Sequence, residues 1–125
     1  MSKPIKSFTF WNGQSLSATV HGPPISMHIL DNAGLTLNTS NVTSNTGTFK
    51  VEGTNDEPLD SFGNQLAVQP VWFDIGVSGL TLANTDATLE PNINQFPWKF
   101  LRVSFAPAGV GPNGTVTGKF YGKGV

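Results

Sequence analysis

Short runs in which apolar residues recur at every second position, each closed by glycine, proline or asparagine, leave this chain little choice but a fold of antiparallel strands. Phe8 and Phe10 open the series, followed by Leu16, Ala18 and Val20, then Ile25, Met27 and Ile29, then Leu35 and Leu37. It continues with Phe49 and Val51, Val71, Phe73 and Ile75, Leu80 and Leu82, Leu101, Val103 and Phe105, and ends on Val116 and Phe120. Asn12-Gly13, Gly22-Pro23-Pro24 and Asp31-Asn32-Ala33-Gly34 read as turns between the first runs. Roughly ten residues from one run to the next is the spacing of a sandwich or barrel, not of βαβ units. The expected fold is all-β, an antiparallel β-sandwich of jelly-roll-like form with about eight to nine strands.

The same alternation assigns faces. Val71, Phe73 and Ile75 are expected to point into the core, which turns Trp72 and Asp74 the other way; His28 lies opposite Ile25, Met27 and Ile29 and is expected to face out. One core is enough for 125 residues. Residues 7–125 are read as a single sandwich domain and residues 1–6, with Pro4 between two lysines, as an N-terminal arm. Charged residues make up only 12% of the chain, about half the usual share. Nine phenylalanines and three tryptophans nevertheless supply a core. Two stretches, 53–69 and 84–97, are too long and too rich in proline and asparagine for plain turns and are expected to carry contacts.

Several classes of function find no support in the residues. A net charge of −1 with scattered lysines offers no footprint for nucleic acid, and no apolar stretch approaches the length of a membrane helix. The start Met1-Ser2-Lys3-Pro4 leads into no apolar segment, so no secretory signal is expected. Without cysteine there is neither a disulfide framework nor a thiolate zinc site. The sequons at Asn38, Asn41 and Asn113 are expected by chance in a chain so rich in asparagine and threonine. The acidic patch of Glu52, Asp56, Glu57 and Asp60 lacks EF-hand spacing and is broken by Pro58, so it reads as a solvated turn. No serine sits in a nucleophile elbow. Gly109-Val-Gly-Pro-Asn-Gly114 spells a dinucleotide fingerprint, but the β-branched run Thr115-Val116-Thr117 follows where a helix would have to begin. No catalytic residue, metal or cofactor is expected.

One set of motifs goes beyond composition. Gly47-Thr-Phe-Lys-Val-Glu-Gly-Thr-Asn-Asp56, Val71-Trp-Phe-Asp-Ile-Gly76, Phe100-Leu-Arg-Val-Ser-Phe105 and Gly114-Thr-Val-Thr-Gly118 together resemble the small β-sandwich virion proteins of tailed bacteriophages, over roughly residues 47–120. Discoidin-like carbohydrate-binding jelly rolls share a weaker similarity in the order of strand, Asn/Asp turn and tryptophan. The residues between Asp56 and Trp72 are an insertion relative to that pattern. The resemblance implies a virion component, either a capsid decoration (cement) protein or a related head or tail accessory. Its partner would be the major capsid protein or another virion protein, and it would form a homo-oligomer, with a trimer favoured. Candidate contact residues are Lys3, Pro4 and Ile5 in the arm, Trp11 beside Asn12-Gly13, Asp56 in the first long loop, and Asn92, Asn94, Phe96 and Trp98 in the second. The alternative is a module for a host glycan or receptor, with Trp11 and Trp98 stacking on sugar and Asn92 or Asn94 bonding to it. On the decoration reading, removal of residues 1–6 is expected to lower occupancy on assembled shells in a co-sedimentation assay while the far-ultraviolet spectrum stays that of the intact sandwich.

Overall fold

The computed structural model describes residues 5–28 and 30–124. Among these residues ten strands form two antiparallel sheets packed face to face, one more strand than the upper expectation. Five are long: β1 (Ile5–Ser15), β4 (Leu30–Ser40), β5 (Thr48–Thr54), β9 (Phe100–Ala106) and β10 (Thr115–Gly124). Five consist of two residues each: β2 (Val20–His21), β3 (Ile25–Ser26), β6 (Phe73–Asp74), β7 (Thr88–Leu89) and β8 (Asn92–Ile93). Sheet 1 runs β1-β10-β4-β7, with β8 also on β4; sheet 2 runs β2-β9-β5-β6, with β3 also on β9.

The core lies between the sheets and follows the alternation. Leu35, Leu37, Val116 and Phe120 of sheet 1 meet Phe49, Val51, Leu101, Val103 and Phe105 of sheet 2, all of them buried. Phe49 and Phe105 pack tilted with ring centroids 4.6 Å apart, a favoured aromatic arrangement. Leu80 and Leu82 are buried as expected but belong to no strand. Their segment lies along the edge of β5, where Phe49 N donates to Leu80 O and Leu82 N to Gly47 O.

Four expectations fail locally, each for a physical reason. Asn12-Gly13 is not a hairpin turn: β1 continues through it, and the register against β10 slips once between Thr9 and Trp11 and again between Trp11 and Gln14. The first slip is a bulge that turns Trp11 inward next to Phe10. Asp31 to Gly34 is not a turn either, because it pairs with β10 as part of β4. Val71 and Phe73 are exposed; their segment keeps only two residues of pairing at the sheet edge, and Phe73 leans on Trp98 rather than into the core. The expected arm is shorter than 1–6, since Ile5 and Lys6 pair with Lys123 and Gly122 in β1. Lys3 and Pro4 lie outside the described residues.

Six connections carry the chain from one sheet to the other, and four of them meet at a single side chain, Asn45. Its amide nitrogen donates to Leu16 O after β1 and to Asn113 O before β10, both at 3.0 Å. Its amide oxygen accepts from Gly47 N at 2.9 Å, just ahead of β5. Its backbone N–H donates to Oδ1 of Asn84, on the connection from β6 to β7. Asn45 is fully buried, and both amide hydrogens and the oxygen are in use. Asn45→Ala would strand two carbonyls and one N–H, so a loss of about 2–4 kcal/mol in chemical denaturation is expected. Asn38→Ala, at an exposed position, is expected to cost less than about 1 kcal/mol.

Candidate interaction surface

At the end of the sandwich away from Asn45, the C-terminal end of β5 leads into residues 55–72, a loop with a frame of its own. Asp60 Oδ1 accepts from Phe62 N and Asn64 N, both at 2.9 Å, and Leu59 bridges Gln65. The amide nitrogen of Gln69 donates to Pro58 O and Leu66 O, while its oxygen receives Trp72 Nε1. The Arg102 guanidinium then lies over the Trp72 ring, 4.5 Å from its centroid, and joins the loop to sheet 2. A long insertion is thus held by side-chain bonds where no strand ladder reaches it.

This ordered segment leaves its apolar side chains outside. Phe62, Leu66, Val68, Val71 and Phe73 are five of the eight large apolar side chains exposed among the described residues. Phe62 and Val68 are 88% and 85% exposed, the values of side chains presented rather than packed. Phe73 stacks on Trp98 with centroids 5.3 Å apart and planes 19° apart. Trp98 in turn lies flat over Gly53, where any Cβ would overlap its ring. Beside this stack is a hollow of about 390 Å³ lined by Ile75, Ile93, Asn94, Phe96, Pro97 and Trp98.

The structure therefore brings Asn94, Phe96 and Trp98 together and sets the other candidates apart. Trp11 is 5% exposed and packs on Phe10 and Phe49, so the β1 bulge removes it from any contact surface. Phe96 is also 5% exposed and lines the hollow chiefly as its floor. Asp56 is exposed in the turn after β5, its own N–H held by Thr54 Oγ1. Asn92 lies on β8, across from Gly34 on sheet 1. The backbone of Ile5 is in β1. Burial leaves Trp11 no ring face for the stacking on a sugar that the alternative reading expected. Phe62 and Val68 were not singled out in the sequence and Val71 was expected in the core, although apolar residues gathered in an insertion are a readable signal.

The acidic patch does not converge. Glu52 lies on the outer face of sheet 2, where Arg102 Nε donates to its Oε1 at 2.9 Å and Ser104 Oγ donates to the same oxygen. Asp60 is spent on its own turn. Among the described residues no three acidic or histidine side chains gather in a way that would hold a metal ion. Ser104 also bonds His21 Nδ1 at 2.8 Å. Because its single hydrogen is engaged by Glu52, Nδ1 must be the donor. That order, His–Ser–Glu, leaves the serine proton facing a carboxylate and not an imidazole base, unlike a nucleophilic triad. Gly109 to Gly114 forms the loop from β9 to β10, fixed by Asn113 Oδ1, which accepts from Thr43 N and Ser44 N.

These features define a two-sheet antiparallel β-sandwich with an apolar surface at one end. Among solved structures, the chain resembles that of the SPBc2 prophage-derived protein YomS at 16% identity, with a TM-score of 0.50, over 98% of this chain and 96% of that one. The likeness is one of fold. No protein-family model matches the chain, and no curated protein does.

Arg102 connects the long loop to the sheet. Arg102→Ala is expected to lower stability by about 1.5–3 kcal/mol, since it takes a charged partner from mostly buried Glu52. It is also expected to speed chymotryptic cleavage after Phe62 or Leu66, as the loop loses its hold on the sheet. Mass spectrometry of the fragments reads the second effect.

Proposed function

We propose that this protein is a structural accessory of a bacteriophage virion, a capsid decoration (cement) protein that fastens onto the assembled shell. The observation that carries this reading is the concentration of exposed apolar side chains on the 62–73 segment. A loop closed by Asp60 and Gln69 and anchored through Trp72 to Arg102 needs no apolar exterior for its own stability. An exterior of that kind is explained by a protein partner that covers it, because contiguous exposed apolar surface marks interaction sites. The rigid frame lowers the ordering cost of binding, since little conformational freedom is left to lose. The likeness in fold to a prophage-derived protein supports the phage setting.

In this reading the partner is the major capsid protein or another virion protein, and the protein acts as a homo-oligomer, with a trimer at a local three-fold position. No step requires catalysis. Phe62, Val68 and the Phe73–Trp98 stack supply the apolar centre, and the amides of Asn94 and Gln95 its polar rim. The N-terminal residues contribute as an arm.

Phe62→Asp combined with Val68→Asp changes two side chains that touch little of the fold. Co-sedimentation with empty shells is expected to weaken about tenfold or more, as hot-spot losses at an interface centre do. The melting temperature should stay within a few degrees of the parent. Undiminished binding by the double variant would remove this surface from the interface, and failure of the parent protein to co-sediment would remove the reading itself.

A further inference from the structure

The outer face of sheet 1 carries a second surface of different chemistry. On β10, Lys119, Tyr121 and Lys123 alternate with buried Phe120 and Gly122, so the three project from one face. Tyr121 is 49% exposed. Its cross-strand neighbours are Ser7 on β1 and Gly34 on β4, with Asn92 of β8 beyond Gly34. The missing side chain at Gly34 opens the floor next to the tyrosine: a Cβ built there would lie 3.2 Å from Asn92 Oδ1. One hollow of about 580 Å³ extends from Tyr121 over Thr9, Thr36, Glu90 and Lys119. Another of about 270 Å³ extends toward Asn32, Asn94 and Lys123.

This is not the makeup of a protein interface, whose centre is depleted in lysine and glutamate and enriched in several aromatics. Here Tyr121 projects among amides, hydroxyls and ammonium groups, while Phe8, Leu35 and Phe120 line the same hollow, Phe8 part-exposed. A sugar has the matching two-sided character, with an apolar face of C–H groups for an aromatic ring and hydroxyl edges that both donate to and accept from amides. The larger hollow falls in the size range of about 300–1,000 Å³ typical of small-molecule sites. Its lining contains both Lys119 and Glu90, whereas the lining of the smaller hollow holds Lys123 and no carboxylate. Among the described residues, that leaves the linings of the two hollows with one more positive than negative side chain.

We propose that the face around Tyr121 binds an acidic oligosaccharide, one ring stacked on Tyr121 and a sugar carboxylate set at Lys123. The surface lies on the other sheet from the 62–73 segment and shares Asn94 with the hollow beside that segment, so substitutions at Tyr121 and Lys123 test it apart from shell attachment.

The test is a titration of the isotopically labelled protein with 3′-sialyllactose, tetragalacturonate and neutral cellotetraose, followed by amide chemical shifts. At least one acidic sugar is expected to give saturable shifts centred on Tyr121, Gly34 and Asn92, and to bind more tightly than cellotetraose. Tyr121→Ala is expected to weaken that binding by about tenfold, the equivalent of roughly 1.4 kcal/mol. Lys123→Gln, at an exposed position, is expected to erase the preference for the acidic sugars while keeping the dispersed spectrum of the fold. No saturable shift up to about 10 mM of either acidic sugar, a thousandfold looser than about 10 μM, would overturn the proposal. So would shifts centred elsewhere, binding indifferent to both substitutions, or equal affinity for cellotetraose.

Discussion

One buried amide holds this sandwich in register. Two sheets that exchange the chain six times need their crossings fixed relative to one another, and four of those crossings converge on Asn45. The crossings are irregular, so their backbone groups have no ladder to join, and an unpaired group buried there would cost as much as a lost hydrogen bond. Asn45 answers this with two donors and one acceptor on a single short side chain. The ends of β1 and β4 and the starts of β5 and β10 inherit their relative positions from it.

The same device recurs wherever the ladder stops. Asn84 caps Asn45 itself, Asn113 holds the 43–44 turn, Gln69 closes the 58–72 loop and Asn32 accepts from Gln95 N at the far end. Neutral amides can be buried or half-buried without the desolvation cost of ions. This gives a physical sense to a composition poor in charge and rich in asparagine. The one ion pair between side chains among the described residues, Arg102 with Glu52, sits on the outer face of sheet 2, where Ser104 shares the carboxylate and Trp72 covers the guanidinium.

The two ends of the molecule thereby take different tasks. The Asn45 end is bonded tightly and exposes chiefly Val110 among large apolar side chains, while the opposite end presents Phe62, Val68, Val71 and the Phe73–Trp98 stack. The Tyr121 face runs along sheet 1 and is chemically distinct from both. Loops held on a stiff frame are a common place for such contact surfaces.

Period-two alternation was enough to determine the fold class, segments of the long strands and most of the core, because a strand with one buried face must repeat every second residue. Leu35, Leu37, Phe49, Val51, Leu101, Val103, Phe105, Val116 and Phe120 are buried as that pattern requires. It also placed His28 outside and left 53–69 as a long stretch without a strand pattern. What it did not contain were the events that break its own period. The bulge that turns Trp11 inward depends on pairing with β10, more than a hundred residues away in the chain. The exposure of Val71 and Phe73 goes with the two-residue edge pairing of β6 on β5, and Phe73 finds its partner in Trp98. The grouping of Tyr121 with Gly34 and Asn92 depends on three strands adjacent only in the sheet. Sequence by itself decided which residues seek the core, since hydrophobicity and its spacing are local properties. Only the tertiary structure decided which side chains meet at the surface, because register, bulges and crossings are set by partners distant along the chain.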